Sequence, residues 1–319
     1  MDPLSEVLAL LDVRNALLAR LEAGGTWAID FPRYRHVKFG AVLRGTCYLE
    51  PPWPASGHPP TEPAPALRLT AGDCYLLGDG KPYRMAGEPG CAGTPAREVF
   101  TDVAEDHLVR MGSDPDTVIV GGRFVFDQAH AHVLLDVLPP IIHVAAGTAP
   151  AEAMHSHLRS LEHETSTAEF GSTLVTERIA HIMLVQTLRA HVGQGGAGGA
   201  WLTALHDSRI GAALAAMHRR PLHPWTVAEL AADVGMSRSA FAARFTELVG
   251  TSPLNYLLGW RMRIAGRELR THRRSIADVA QEWGYGSESA FSNAFKRVMG
   301  RSPGRYRAAA APARDLSAP

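Results

Sequence analysis

Cysteine is scarce in this chain. Its 319 residues hold three, Cys47, Cys74 and Cys91, too few for a disulfide framework and in no Cys-x-x-Cys pair that would suit zinc or electron transfer. Long apolar runs are missing as well, none reaching the roughly 18 residues that a bilayer span needs. The opening Met1-Asp2-Pro3-Leu4-Ser5-Glu6 lacks a basic n-region, which predicts a cytoplasmic chain with no membrane partner. No Gly-rich phosphate loop, nucleophile elbow or paired-carboxylate motif occurs. Net charge is absent too, basic and acidic residues balancing at 32 each. What is present, 46% hydrophobic and 20% charged residues, predicts a soluble globular protein of about two domains.

The balance conceals a division. Residues 1–205 carry 15 basic and 23 acidic side chains, whereas residues 206–319 carry 17 and 9, so the halves stand at −8 and +8. Such asymmetry points to a polyanion partner for the second half. Sixteen of its seventeen cations are arginine, the side chain suited to bidentate contact with phosphate or guanine. The divide falls near Gly193-Gln194-Gly195-Gly196-Ala197-Gly198-Gly199, a composition that predicts a flexible tether. Before it, apolar and aromatic runs at 37–49, 67–77, 118–120 and 124–126, broken by Gly, Pro and Asp, predict the short strands of a small barrel or sandwich. Two helical patterns follow, at 151–164 and 173–191. The second is apolar on more than one stripe, which makes it a candidate dimer helix; a helix wholly buried in its own domain is the alternative.

The basic half repeats itself. Thr226, Val227, Glu229, Leu230, Ala231, Val234 and Gly235 return 49 residues later as Ser275, Ile276, Asp278, Val279, Ala280, Trp283 and Gly284. At an offset of 50, Ser237, Phe241, Phe245, Gly250, Pro253 and Tyr256 return as Ser287, Phe291, Phe295, Gly300, Pro303 and Tyr306. Each copy predicts helix, tight turn, helix. Thr226/Glu229 and Ser275/Asp278 have capping-box spacing, the glycines suit a left-handed helix end, and Ser237 and Ser287 cap the following helix. Two capped helix-turn-helix units in a segment of charge +8 predict binding to double-stranded DNA. A helical scaffold that binds protein is the alternative.

Residues from about 209 to 307 resemble the DNA-binding domain of the AraC/XylS family of bacterial transcriptional regulators. The resemblance rests on Ala277-Asp278-Val279-Ala280, Gly284-Tyr285, Ser289-x-Phe291-Ser292-x-x-Phe295-Lys296 and Gly300-x-Ser302-Pro303-x-x-Tyr306-Arg307. It implies two helix-turn-helix units joined by a long helix at about 253–270, reading major-groove faces about 34 Å apart. Base contacts are then expected near Ser239, Ala242 and Ala243, with Arg238 and Arg244 beside them. The second copy offers Glu288, Ser289, Ser292, Asn293, Lys296 and Arg297. Asn293 suits adenine and Glu288 suits the cytosine amino group. Arg261, Arg263, Arg267 and Arg305 are expected on phosphates, and Trp225, Trp260 and Trp283 in the core. RNA polymerase is the further partner that the resemblance implies.

The N-terminal half resembles, more loosely, the cupin-type effector domain of one branch of these regulators, on Leu69-x-Ala71-Gly72-Asp73-Cys74-Tyr75-Leu76-Leu77-Gly78, Gly121-Gly122-Arg123-Phe124 and Leu134-Leu135-Asp136-x-Leu138-Pro139-Pro140. Some members respond to oxidants or electrophiles, others to small molecules. A metal-dependent cupin enzyme needs clustered His and carboxylate ligands. Here His36-x-Lys38 lacks the second His, Tyr83 stands where another is often found, and His130-x-His132 and His155-x-His157 lie outside the predicted strands. The expectation is no enzyme, no metal and no cofactor, with an effector cavity lined by His36, Tyr48, Trp53, Lys81 and Tyr83. Cys91 is the candidate redox thiol if Arg84 or Arg97 lies close.

The predicted fold class is therefore α+β: an N-terminal cupin-like β-barrel with flanking helices, plus a C-terminal all-α double helix-turn-helix domain. Residues 1–192 form the effector and dimerisation domain, 193–208 the linker and lead-in, and 209–308 the DNA-binding domain. The function expected is a homodimeric transcriptional activator that answers a small molecule or an oxidant. A regulator whose first domain only dimerises, or a cupin enzyme fused to a DNA-binding domain, are the other readings.

Overall fold

The structure, a computed structural model, describes residues 3–10, 14–34, 36–50, 65–78, 80–100, 108–125, 138–167, 169–193, 200–271 and 274–308. The chain divides into two units.

One unit is built on two sheets. In chain order its strands are β1 (Arg14–Ala23), β2 (Ala28–Phe31), β3 (Val37–Arg44), β4 (Thr46–Glu50), β5 (Leu67–Thr70), β6 (Cys74–Leu77), β7 (Tyr83–Ala86), β8 (Thr94–Pro95), β9 (Leu108–Met111), β10 (Thr117–Val125) and β11 (Ile141–Val144). The larger sheet runs β11-β6-β3-β10-β1-β9 and the smaller β5-β4-β7-β2-β8. Among the described residues the two sheets share no ladder, so the expected barrel is an open pair of sheets. Between them lies a core drawn from both: Leu21, Ile29, Val42, Cys47, Leu49, Leu69, Tyr75, Met85 and Ile119. In β4, Cys47 and Leu49 are buried while Tyr48 is half-buried, the alternation of a sheet packed on one face. β3 and β6 do not alternate cleanly, because the larger sheet is covered on its other face as well. There α3 (Ala149–Thr167) and α4 (Ser172–Gly193) pack, burying Met154, Leu158, Leu161, Ile179, Met183 and Leu184. Gly40 in β3 is obligatory: a Cβ there would stand 2.3 Å from the Tyr75 ring. A short helix, α2 (Ala96–Val99), follows β8.

The other unit is helical and contains α5 (Ala200–His206), α6 (Ser208–Arg219), α7 (Val227–Asp233), α8 (Arg238–Val249), α9 (Pro253–Thr271), α10 (Ile276–Glu282), α11 (Glu288–Met299) and α12 (Pro303–Ala308). Two cores form, one around Leu214, Trp225, Leu230, Phe241 and Phe245, the other around Val279, Trp283, Phe291, Phe295 and Tyr306. Helix α9 joins them, giving Leu257 to the first core and Met262, Ala265 and Leu269 to the second. This unit also takes in α1 (Pro3–Leu10), which lies within the 1–192 expected of the effector domain. Its Glu6 lies 3.0 Å from Nδ1 of His218. The His218 ring stacks on Trp260, with centroids 3.8 Å apart and planes at 3°, and its Nε2 is 2.8 Å from the Tyr256 hydroxyl.

Candidate nucleic-acid interface and effector cavity

The two helix-turn-helix copies are built alike. Thr226 accepts from the Glu229 amide and Ser237 from that of Ala240; Ser275 accepts from Asp278 and Ser287 from Ala290. Each first helix ends in the same way. Gly235 and Gly284 take φ of 65° and 76°, and the next amides, Met236 and Tyr285, reach back to the carbonyls of Ala231 and Ala280, a Schellman closure. Phe241 and Phe245 sit 5.6 Å apart, as do Phe291 and Phe295. One expected likeness fails. Asp278 accepts from the Ser275 amide, completing its box, and hydrogen bonding from the Ser275 hydroxyl, then from this amide, holds the Asp278 carboxyl below its ordinary value. Glu229 instead meets His223 Nε2 at 2.6 Å, so the first copy has a cap without the reciprocal bond.

With Phe241 and Phe245 turned inward, α8 presents Arg238, Ser239, Ala243 and Arg244 to solvent, with Ala242 half-buried. On α11 the corresponding face is Glu288, Ser289, Asn293, Lys296 and Arg297, with Ser292 half-buried. The faces differ in free charge. Arg244 is bonded to both Asp207, at 3.2 Å, and Glu247, at 3.1 Å.

Two arginines expected on phosphates have other positions. The Arg261 guanidinium donates to the carbonyls of Pro221 and His223, pinning the loop between α6 and α7. Arg263 lies inside the unit with its Nε buried, and burial lowers its pKa against the nearby phenols of Tyr256 and Tyr306. Cores press on α9 from both ends, so only part of its surface remains for DNA. Arg267 is exposed and donates to the Ala9 carbonyl at 3.4 Å, and Arg305 is exposed. Trp225, Trp260 and Trp283 are buried.

In the sheet unit a cavity of about 410 Å³ opens between the two sheets, with Phe31, Tyr34, His36, Lys38, Tyr83 and Arg123 in its wall. Of the expected lining, His36 and Tyr83 are there. Tyr48 is not, because Cys47 and Leu49 take the inward positions of its strand, and Lys81 lies exposed outside the cavity. Trp53 falls outside the described residues, as do His130, His132 and the glycine run 194–199. A further lining residue, absent from the expected set, is Lys38. It shares the inward face of β3 with Gly40 and Val42, and it pairs across the ladder with Arg123. Its Nζ stands 3.9 Å from the centre of the Phe31 ring and 4.8 Å from those of Tyr34 and Tyr83, and donates to the Tyr83 hydroxyl at 3.3 Å. Burial, then Arg123, pushes Lys38 down to about 7. Burial, with Lys38 and Arg123, takes His36 to about 4. The His36 Nε2 is buried with no hydrogen-bond partner among the described residues.

Cys47 and Cys74 are buried, and burial, then Asp73, pushes both thiols up to about 12. Cys91 is partly exposed. Arg84 donates to the Cys91 carbonyl but is also paired with Asp30, at 2.6 Å, and Glu50; Arg97 is paired with Glu98. Each positive charge that was to favour a Cys91 thiolate is thus shared with a carboxylate. Among the described residues no group of three His, Cys, Asp or Glu is placed to hold a metal ion, and no helix is long and apolar enough to cross a membrane.

Residues 2–193 match the family model described as Cupin, and residues 230–309 that of a helix-turn-helix domain. An AraC-like transcription regulator of Streptomyces lividans is 44% identical over 308 residues, covering 96% of this chain and 98% of that one. The chain belongs to the AraC-type transcription regulators. Another member, the regulator AlkR of Acinetobacter baylyi, is 28% identical over 96% of this chain and 99% of its own length. The solved DNA-binding domain of AdpA, in complex with a target DNA, is 35% identical over 33% of this chain and 96% of that chain, with a TM-score of 0.30. The protein is thus a DNA-binding transcriptional regulator of AraC type, with a cupin domain ahead of its helix-turn-helix domain.

Proposed function

We propose that this regulator activates transcription in the cytoplasm as a homodimer, answering a small molecule held by the cupin domain, and that it is no enzyme. The observation that carries the sensing role is the cavity itself: an apolar pocket of about 410 Å³ with the half-buried Lys38 and the unpartnered His36 Nε2 in its wall. A polar atom buried without a partner carries a desolvation cost that a bound ligand removes. Dimerisation is supported by α4. One face is buried, while Leu174, Val175 and Ile182 are 56%, 41% and 40% exposed, a second apolar stripe with space for a partner's copy.

In this reading the sheet unit is the effector and dimerisation domain and the helical unit, with α1 and α5 packed into it rather than left in the effector domain and the 193–208 lead-in, is the DNA reader, with RNA polymerase recruited beside it. Arg238, Ser239, Ala242, Ala243 and Arg244 face one major-groove segment, and Glu288, Ser289, Ser292, Asn293, Lys296 and Arg297 the next. Signal binding switches the protein through its differential affinity for two arrangements of the domains. Fluorescence anisotropy of the protein on the DNA upstream of its own gene, against scrambled DNA over a salt series, tests the reading. A preference of about 4 kcal/mol or more with a steep salt slope is the expected result. Equal binding to both DNAs at every salt concentration would defeat sequence-specific reading of that site.

A further inference from the structure

We infer that Lys38 is a covalent sensor of carbonyl compounds, its amine condensing with an aldehyde of apolar body held in the cavity. The inference rests on the cavity's being the effector site, and it names the chemistry of that effector.

Four observations carry it. The chain contains 29 arginines and only three lysines, Lys38, Lys81 and Lys296. The one lysine that is not exposed sits where an arginine would never lose its proton. Its amine lies in a box of aromatic rings, Phe31, Tyr34 and Tyr83, at 3.9 to 4.8 Å. Among the described residues no Asp or Glu lines the cavity, and the cross-strand neighbour is Arg123, so the ammonium is held there by ring faces and the Tyr83 hydroxyl, a weaker attraction than a carboxylate's. With Lys38 near 7, about half the amines are neutral at pH 7, against roughly one in three thousand for an ordinary lysine of pKa about 10.5. Desolvation in an apolar pocket is a recognised way to make a lysine nucleophilic.

The step balances without any oxidant or reductant. The neutral Nζ attacks the carbonyl carbon and forms the C–N bond. The carbonyl π electrons move to oxygen, which takes up a proton while the nitrogen loses one. The Tyr83 hydroxyl, 3.3 Å from Nζ, is placed to pass that proton; burial raises its pKa well above the ordinary value and keeps it a donor. The Tyr83 hydroxyl then lends its proton to the carbinolamine oxygen, the nitrogen lone pair expels water, and the resulting iminium N–H returns a proton to the Tyr83 phenolate, leaving the imine. Aldehyde and amine thus become imine and water, and the apolar wall disfavours the return of the water.

The test is reductive trapping. The full chain is incubated with benzaldehyde at pH 7, treated with borohydride and mapped by peptide mass spectrometry. Lys38 should carry the benzyl group over Lys81 and Lys296 by at least about tenfold, K81R should keep that label, and K38R should lose it. The wild-type map decides the matter even if K38R folds poorly. Label spread evenly over the three lysines, or absent from Lys38, overturns the inference. Benzyl alcohol, which cannot form an imine, separates the two readings. If it raises the melting temperature while Lys38 stays unlabelled, the covalent chemistry fails and the effector cavity stands. If it produces no shift and Lys38 stays unlabelled, the inference fails together with this cavity's claim to aromatic ligands.

Discussion

Lys296 and Arg263 are both cations of the DNA-binding half, yet their surroundings assign them opposite roles in binding. Lys296 is exposed on α11, whereas Arg263 lies within α9 with its Nε buried. Replacing either by Met preserves the bulk of the chain and removes one charge. A protein that neutralises one phosphate releases about one counterion, contributing about −0.9 to the slope of log K against log salt. Lys296→Met should therefore make the slope shallower by about 0.9. Between 50 and 200 mM salt, one lost contact changes relative affinity by about 3.5-fold, or roughly 0.7 kcal/mol. Arg263→Met should leave the slope unchanged, because a charge inside the unit displaces no counterion from DNA. Fluorescence anisotropy at four or more salt concentrations, on specific and scrambled DNA, reads both values. The reasoning is refuted if Arg263→Met flattens the slope by about one while Lys296→Met leaves it alone.

Asn293→Ala should cost about 1–3 kcal/mol on specific DNA alone and leave the salt slope intact; equal loss on scrambled DNA would remove Asn293 from the reading face. Ser275→Ala removes the hydroxyl that accepts from the Asp278 amide, leaving only the return bond of the reciprocal box, and should destabilise the helical unit by about 1 kcal/mol. Thr226→Ala, whose cap lacks the return bond, should cost less, and urea denaturation that reverses this order would count against the assignment. Ile182→Glu places a charge in the exposed stripe of α4 and should convert dimer to monomer in sedimentation velocity without unfolding; an unchanged dimer would move the interface elsewhere. Lys38→Met should stabilise the sheet unit at pH 7 by several kcal/mol, at most about 5. Among the described residues the titratable and charged groups that share the cavity wall with Lys38 are Arg33, Arg97, Arg123, His36, Tyr34, Tyr75 and Tyr83, none of them a carboxylate that pairs with the lost cation. Since Lys38 is near 7 folded and about 10.5 unfolded, the unfolded chain holds the extra proton between those values. The wild type therefore gains stability as pH rises through that window, so the advantage of the variant should fade towards pH 10. A gain that does not vary with pH would refute the desolvation account.

What could be read from the sequence was local. Caps, turn glycines and the Phe-x-x-x-Phe spacing act within a few residues, so the paired helix-turn-helix units followed directly from them. Glu229 departs from the expected box because its partner, His223, lies before the cap rather than within the box. Arg261 and Arg263 lie away from the phosphate-facing positions expected of them because cores at both ends of α9 decide which of its faces stays outside. Tyr48 was within reach: its apolar neighbours Cys47 and Leu49 already mark it as facing away from the core. Lys38 was not, since Val37 and Phe39 beside it are buried as well and a strand covered on both faces has no informative alternation. Nothing in residues 3–10 announces that α1 joins the unit formed by the far end of the chain.

The duplication explains why the two reading helices need not be equal partners. Both copies retain the residues that make the scaffold, the cap serines, the left-handed glycines and the inward phenylalanines, since losing any of them costs stability whatever DNA is bound. Exposed positions carry no such constraint and have diverged. The α8 face offers two alanines, and its Arg244 is already held by Asp207 and Glu247; the α11 face offers Glu288, Asn293, Lys296 and Arg297. Hydrogen-bond readout of base edges needs side-chain donors and acceptors, while alanine offers only a methyl contact to thymine. The second helix should thus set most of the sequence preference, and the first, through Arg238, should hold the protein in register on the backbone.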